Sequence, residues 1–363
     1  MVQELVTLRV DGRTWEGWES VKMDDIFGKT LCSRIDLVLS DRYRGDFNAR
    51  PIELGMKYEC LLGDELRQTG WINKVGPGYG PTRHGIKISG RDLTQDLVDC
   101  SSTVTPGSWT NRKLEDIAKD LCAEFSVPVV PGDDTGKPIA QAALQVGDTP
   151  FQFLEKLCRT RNVWLASTAE GALTFVKAST ERLDGVLIRG DDIEEADADY
   201  SDEGRFSDYY GKGQQRGSDQ VSDQEAAVVS GHVSDPSIAR HRPLVIQGED
   251  QQNGETLGDR LLNERNKRIG DSQSIKIKVA GWRMKNGLVW PTNRRVAVTD
   301  DWLLVDGVYT IEQCSFSLGK NDNSTMLTLV PPEKFDITSS GGAGGAPAYS
   351  SRPDPSDPFP GVS

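Results

Sequence analysis

ISGRDLTQDLVDCS, Ile88 to Ser101, is the stretch at which the chain changes character. Before it, apolar residues mostly alternate, as in half-buried strands; after it, they recur at helical spacing. The strand-like run ends at Gly90, whose freedom in φ suits a tight strand-to-helix corner. Asp92 is placed to cap a helical turn whose inner face is Leu93, Leu97 and Val98. The corner carries no nucleophile beside a base, so its plain reading is structural.

Upstream, everything reads as strand and turn. Leu5 to Val10 alternates, Asp11-Gly12 is a two-residue hairpin signal, and Arg13 to Trp18 starts the return strand. Leu31, Ile35, Leu37 and Leu39 share one face of the next strand, with Arg34 and Asp36 on the other. Tyr58 to Leu62 and Leu66 to Val75 flank the turn Gly63-Asp64, and Gly85 to Ser89 follows a Gly/Pro-rich loop. Short strands and tight turns over residues 1–98 predict a small β-barrel or sandwich.

Downstream, Leu114, Ile117, Ala118, Leu121, Cys122 and Phe125 repeat at helical spacing after a cap at Thr110 or Asn111. A second helix opens at Thr149-Pro150-Phe151-Gln152, a capping box with Pro at the first helical position and Phe151, Leu154, Leu157 and Cys158 on the inner face. A hairpin follows around Glu170-Gly171, so residues 99–180 read as an α/β middle domain. Strands return from Leu183, interrupted by a long polar loop at 212–242. A helix is predicted over 254–269 with Gly270 at its end, then a strand at Ser274 to Ala280. Asn293 to Ile311 repeats the layout of Met56 to Ile72, with Gly307 matched to Gly70, Leu303 to Leu66 and Asp301 to Asp64; chance similarity is the alternative. The fold class is therefore α+β, mainly β: barrels at 1–98 and 181–335 flanking the middle domain, and a flexible Gly/Ser/Pro tail at 336–363.

Composition narrows the function. The net charge of −13 argues against a nucleic-acid binder held by phosphate contacts. Between Glu181 and Asp235 fifteen Asp or Glu face five Lys or Arg, so most of the excess acid lies in one stretch. Six dispersed cysteines without a C-x-x-C pair, and no secretory signal, point to reduced thiols and cytoplasmic synthesis. No apolar run approaches the roughly 18 residues of a membrane span.

Chemical motifs are sparse. His84, His232 and His241 lack metal-ligand spacing, no G-x-S-x-G elbow occurs, and a proline follows the last glycine of GPGYGP at Gly76 to Pro81, which reads as a turn. The carboxylates of Asp191, Asp192, Glu194, Glu195, Asp197 and Asp199 could form a glycosidase pair or a calcium site, but they run like a solvated strand edge. Trp15, Trp18, Trp71, Trp282, Trp290 and Trp302 lie in or beside strands, where core packing is the default and an interface the second choice.

G-R-D-x-T-x-D-L-V-D after a strand, on Gly90, Arg91, Asp92, Thr94, Asp96, Leu97 and Asp99, resembles the baseplate hub protein of contractile phage tails, the Mu-like form in particular. Late-control D proteins and the N-terminal half of VgrG spikes are related hubs. The resemblance extends over VTLRVDGRTWEGWESV, LVLSDR ending at Arg42, TGWINKV at Thr69 to Val75 and GDTPFQFLEKLCRTRNVWL at Gly147 to Leu165, in that order. It implies a structural, non-enzymatic protein without cofactors, made in the host cytoplasm and placed in the virion's tail baseplate. It further implies a homotrimer of paired barrels that adapts a sixfold tail tube to a trimeric spike and contacts other baseplate proteins. Such a ring leaves a channel for DNA, with no specific nucleic-acid binding and no membrane span. Asp191, Asp192, Glu194, Glu195, Asp197, Asp199, Asp202 and Glu203 are then candidates to line that channel, since like charge keeps DNA off the wall. The alternatives are a tail-associated cell-wall hydrolase, for which the acidic run is the only candidate, and the hub of a phage-tail-like secretion or bacteriocin device.

Overall fold

Asp11 and Gly12 both take positive φ, 48° and 72°, the geometry of a tight hairpin turn. They join β1 (Val6–Val10) to β2 (Arg13–Trp15) in a computed structural model that describes residues 4–40, 52–81, 84–159, 161–214, 228–247, 257–320 and 322–335. β3 (Ser20–Ile26), β4 (Arg34–Ser40), β5 (Lys57–Leu62), β6 (Glu65–Tyr79) and β7 (His84–Asp92) complete the first half. Their ladder order is β3-β4-β7-β6-β5-β1-β2, with every pair antiparallel. Period-two patterning sends Val21, Met23, Ile35, Leu37, Ile72 and Ile88 into the core, while Lys22, Arg34, Lys74 and Lys87 stay exposed.

The middle unit has its own core. It contains α1 (Gln95–Asp99), β8 (Ser108–Arg112), α2 (Leu114–Ala123), β9 (Ile139–Ala143), α3 (Pro150–Arg159), β10 (Trp164–Ser167) and β11 (Leu173–Val176). The Thr149/Gln152 capping box forms as expected: each backbone N–H donates to the other's side-chain oxygen at 3.2 Å. The cap of α2 differs from expectation. Thr110 and Asn111 belong to β8 and the helix starts after Lys113, Asn111 taking the positive φ (50°) that asparagine tolerates.

The second half comprises β12 (Arg182–Ile188), β13 (Ile193–Tyr200), β14 (Asp208–Gln214), β15 (Val228–Ser234), β16 (Pro243–Gln247), α4 (Leu257–Asp271), β17 (Gln273–Ala280), β18 (Arg295–Asp300), β19 (Val305–Leu318) and β20 (Asn323–Val330). The order β13-β17-β20-β19-β18-β12 matches β3-β4-β7-β6-β5-β1, strand for strand in chain order. Only the last pair differs in sense, β12 running parallel to β18 where β1 is antiparallel to β5. Bulges fall at the same place, between Ile72 and Lys74 in the first half and between Ile311 and Gln313 in the second.

Three expectations need correction. Two separate barrels are not what the described residues form: the C-terminal half of β19 pairs with β3, so both halves share one thirteen-strand sheet that does not close. Second, Gly307 does not occupy the position of Gly70. The β18–β19 loop has four residues where β5–β6 has two, so by ladder position Gly70 corresponds to Tyr309 and Gly307 to Gln68. Third, the stretch read as a polar loop, 212–242, contains the end of β14 and all of β15, which form with β16 a three-strand sheet, β15-β14-β16, roofed by α4; 215–227 lie outside the described residues. Gly270 lies inside α4, which continues to Asp271. The tail 336–363 lies outside the described residues as well.

Candidate functional site

Opposite the core, the joint sheet presents a polar face that crosses both halves. One row reads Glu195, Lys278, Met326, Ser315, Asp24 and Arg34, neighbour by neighbour across β13, β17, β20, β19, β3 and β4. The next reads Ser324, Ser317, Lys22, Asp36, Ser89 and Lys74. Charges of both signs alternate along the rows, as cross-strand pairing favours. Asp36 is the best-held carboxylate. Burial opposes its ionisation, but Arg34 donates to both oxygens, at 2.9 and 3.0 Å, and Ser89 adds a third bond, so its carboxyl sits below the usual range.

The eight candidate acids do not form one cluster. Asp191 and Asp192 precede β13 and share Lys285, at 3.8 and 2.7 Å. Glu195 and Asp197 lie opposite Lys278 and Lys276, Asp199 lies opposite Ser274, and Glu194 is exposed at a bulge. Asp202 pairs with Arg240 and lies 3.9 Å from Arg242, whose guanidinium also donates to the Glu203 carbonyl at 2.8 Å, toward the three-strand sheet.

The joint is built around Asp92, which ends β7; the strand runs two residues past Gly90. Asp92 is buried, and its carboxylate accepts from the Ser33 N–H at 2.7 Å, the Ser167 hydroxyl at 2.8 Å, the Thr94 N–H at 2.9 Å and the Thr94 hydroxyl. One carboxylate thus ties the loop before β4, the turn into α1 and strand β10 of the middle unit. Burial pushes its carboxyl up, and the four donated bonds offset only part of that rise. Arg91 reaches along α1 to Gln95 at 3.2 Å and to Asp99. Leu97 enters the middle core, and burial followed by the nearby Asp99 charge raises the Asp96 carboxyl. Gly90 has a packing role: a Cβ there would stand 2.4 Å from the Tyr58 ring. Ser33 and Ser167, 59 and 75 residues from Asp92, were not anticipated, and nothing near either marks it.

Reactive chemistry is thin. Among the described residues no group of three His, Cys, Asp or Glu is placed to hold a metal ion, and no helix is long and apolar enough to cross a membrane. Burial pushes the Cys60 and Cys122 thiols up to about 12, which keeps them from acting as nucleophiles near neutral pH.

Comparison with known proteins adds the family context. Residues 5–92 match the N-terminal domain of the Mu phage baseplate assembly protein GpP-like family, 94–177 the second domain of the baseplate hub protein gp44-like family, and 254–338 the fourth domain of the Mu phage baseplate assembly protein GpP. The baseplate hub protein gp44 of Escherichia phage Mu is 27% identical over 339 residues, which cover 91% of this chain and 88% of that protein. The crystal structure of a 43 kDa tail protein from the Shewanella oneidensis prophage MuSo2 superposes with a TM-score of 0.81 at 28% identity, over 92% of this chain and all of the other. A tail protein from Neisseria meningitidis MC58 gives 0.78 at 23% identity, over 92% and 99%.

Proposed function

From the membership of this chain in the family of Mu-like phage baseplate hub proteins, we propose that it works as a homotrimeric ring. The ring adapts a sixfold tail tube to a trimeric spike, contacts other baseplate proteins and leaves a channel for DNA. The observation that carries this is the duplicated strand order: each chain offers two sheet units of one design, so three chains present six equivalent positions. The domain division at 1–98, 99–180 and 181–335 is part of the same proposal, with the joint at Asp92 fastening the first sheet to the middle unit.

The polar sheet face is the channel wall in this scheme. Its mixed charges offer no continuous basic track to hold a phosphate backbone. No catalytic role enters. The acids that a hydrolase would need are divided among Lys285, the lysines of β17 and the arginines near β16, and do not face one another across a cleft. Light scattering on the full chain, alone and with its spike protein, should report three copies; a monomer at every concentration would remove the proposal. Reversal of Asp192, Glu194 and Glu195 to lysine should leave the trimer intact and impair DNA delivery in an infection assay. Normal infectivity would place those acids outside the channel.

A further inference from the structure

Each half of the sheet has an edge that gives a strand and an edge that receives one. In the second half the receiving edge is the C-terminal part of β19, which takes β3 as its neighbour: Cys314 pairs with Asp25, Ser315 with Asp24, Phe316 with Met23, and Ser317 with Lys22. The matched bulges make Val75, Gly76, Pro77 and Gly78 of β6 the counterparts of Cys314, Ser315, Phe316 and Ser317. Among the described residues, that part of β6 has a ladder only on its β7 side. The counterpart of β3 is β13, with Ala198 matching Met23 because each lies opposite the isoleucine that opens the core row, Ile275 or Ile35. Among the described residues, 195–199 of β13 pair only with β17. Among the described residues the sheet is thus left with a receiving edge on β6 and a giving edge on β13.

We propose that β6 of one chain receives β13 of a second copy, repeating between chains the antiparallel ladder that β19 and β3 make within one. The partner is this chain itself, and the proposal rests on the trimeric reading above. Carried over pair by pair, the register sets Gly76 opposite Asp199 of the second copy, Pro77 opposite Ala198 and Gly78 opposite Asp197. Charge fits this register. Lys74 stands two residues from Gly76 on the same face, Lys87 lies directly across β7 from Gly76, and both are exposed. Asp197 and Asp199 are exposed on the corresponding face of β13. The side-chain-free Gly76 and Gly78 leave room for the lysines to reach the incoming carboxylates, at the diagonal spacing over which cross-strand charges interact. Pro77 offers no donor, so this ladder is weaker than its template and the edge resists casual strand partners. A head-to-tail contact of this kind must close into a ring or run on as a filament, and the ring alternates joints within and between chains.

The test is a disulfide across the joint. In a Cys100→Ser background, which removes the exposed native thiol, Gly76→Cys combined with Asp199→Cys should link chains under mild oxidation into species of up to three. Gly76→Cys with Asp197→Cys, shifted by two residues on the same face, should not. Position 76 tolerates a side chain, since the nearest atoms to an added Cβ are those of Lys87 at 3.8 Å. Independently, Asp199→Lys should raise the concentration at which the chain associates at least tenfold, and Lys74→Glu in the same chain should restore it. Equal linking by the shifted pair, or no linking in a protein that light scattering shows to be trimeric, overturns the strand pairing and leaves the trimer standing. A monomer in both measurements removes the two together.

Discussion

The two halves of the sheet reach one topology through different packing. In the first, the large ring of Tyr58 lies over Gly90, and Gly70 lets the Arg91 backbone approach so closely that a Cβ would stand 2.0 Å from its carbonyl oxygen. At the equivalent places the second half has Val296 and Leu329, and Tyr309 where the first has Gly70. Volume has moved from one strand to its neighbour while the core stays filled. The end of each half repeats the lesson. Asp92 grips Ser167 of the middle unit by hydrogen bonds, whereas the chain after β20 places Phe335 against Phe27 and Trp164, with ring centroids 4.9 and 5.7 Å away. A duplicated fold can therefore survive with little trace in the residues, because what is conserved is strand order and not the identity of any one contact.

The sharpest way to break the comparison is through its glycines. Gly70→Ala should destabilise the protein by about 3 kcal/mol or more, since a backbone atom must yield. Gly307→Ala, whose Cβ would have 3.7 Å to its nearest neighbour, should stay within about 1 kcal/mol. Urea unfolding midpoints of the two variants measure this, and equal losses would mean that the two hairpins are packed alike. The bulge residues give the next contrast. Glu312 is buried between Lys29 at 2.6 Å and Lys334 at 2.7 Å, whereas its counterpart Asn73 is exposed and accepts from the Arg91 N–H at 3.0 Å. Glu312→Ala should cost about 2–3 kcal/mol, since the largely buried Lys334 keeps only Asp271, at 2.9 Å, of its two carboxylate partners, and Asn73→Ala no more than about 1 kcal/mol.

Asp92→Asn should follow, with a loss of about 2 kcal/mol in thermal or urea unfolding. An amide offers one acceptor where the carboxylate offers two, so its NH2 must face the N–H of Ser33 or of Thr94, neither of which can turn away. Ser167→Ala removes a single hydroxyl from the same carboxylate and should cost less. A Ser167→Ala variant with no loss at all would mean that the grip on the middle unit lies elsewhere.

Local chemistry made part of this legible in the sequence. The Asp11-Gly12 turn, the Thr149/Gln152 box and the buried face of α2 depend on neighbours a few residues apart. The β3–β19 joint depends on Met23 meeting Phe316, and no local pattern records so distant a pairing. The three-strand sheet was hidden by its own glycines. Gly231 reads as a loop residue and Gly211 stands just before the stretch read as loop, yet both are where α4 settles: a Cβ at Gly211 would stand 2.7 Å from Leu257, and one at Gly231 would stand 3.0 Å from Leu261. In the same way the motif residues from Gly90 to Asp99 could be read, but not the Ser33 and Ser167 that give Asp92 its purpose.

The smallest expected effect concerns Asp25, which faces Cys314 in the joint between halves; its counterpart in β13 is Tyr200. Arg67 leaves the ladder at a bulge and donates to Asp25 at 3.0 Å. Burial outweighs that attraction, and the Asp25 carboxyl is raised above its ordinary 3.8. The sign follows from linkage. An acid whose folded value lies above its unfolded one binds its proton more tightly in the fold, so the stability it contributes is complete below about 3.8 and is lost as pH rises through the folded value. Asp25→Asn has no such proton to lose, whereas Asp92 and Asp96, also raised, titrate in both proteins and cancel in the difference. Unfolding free energies of wild type minus Asp25→Asn, measured from pH 3.5 upward, should fall as pH rises through this window and then level off. A difference that instead grew with pH would mean that Arg67 prevails over burial, and that the joint between the halves is held by an ion pair strengthened, not weakened, as the carboxyl ionises.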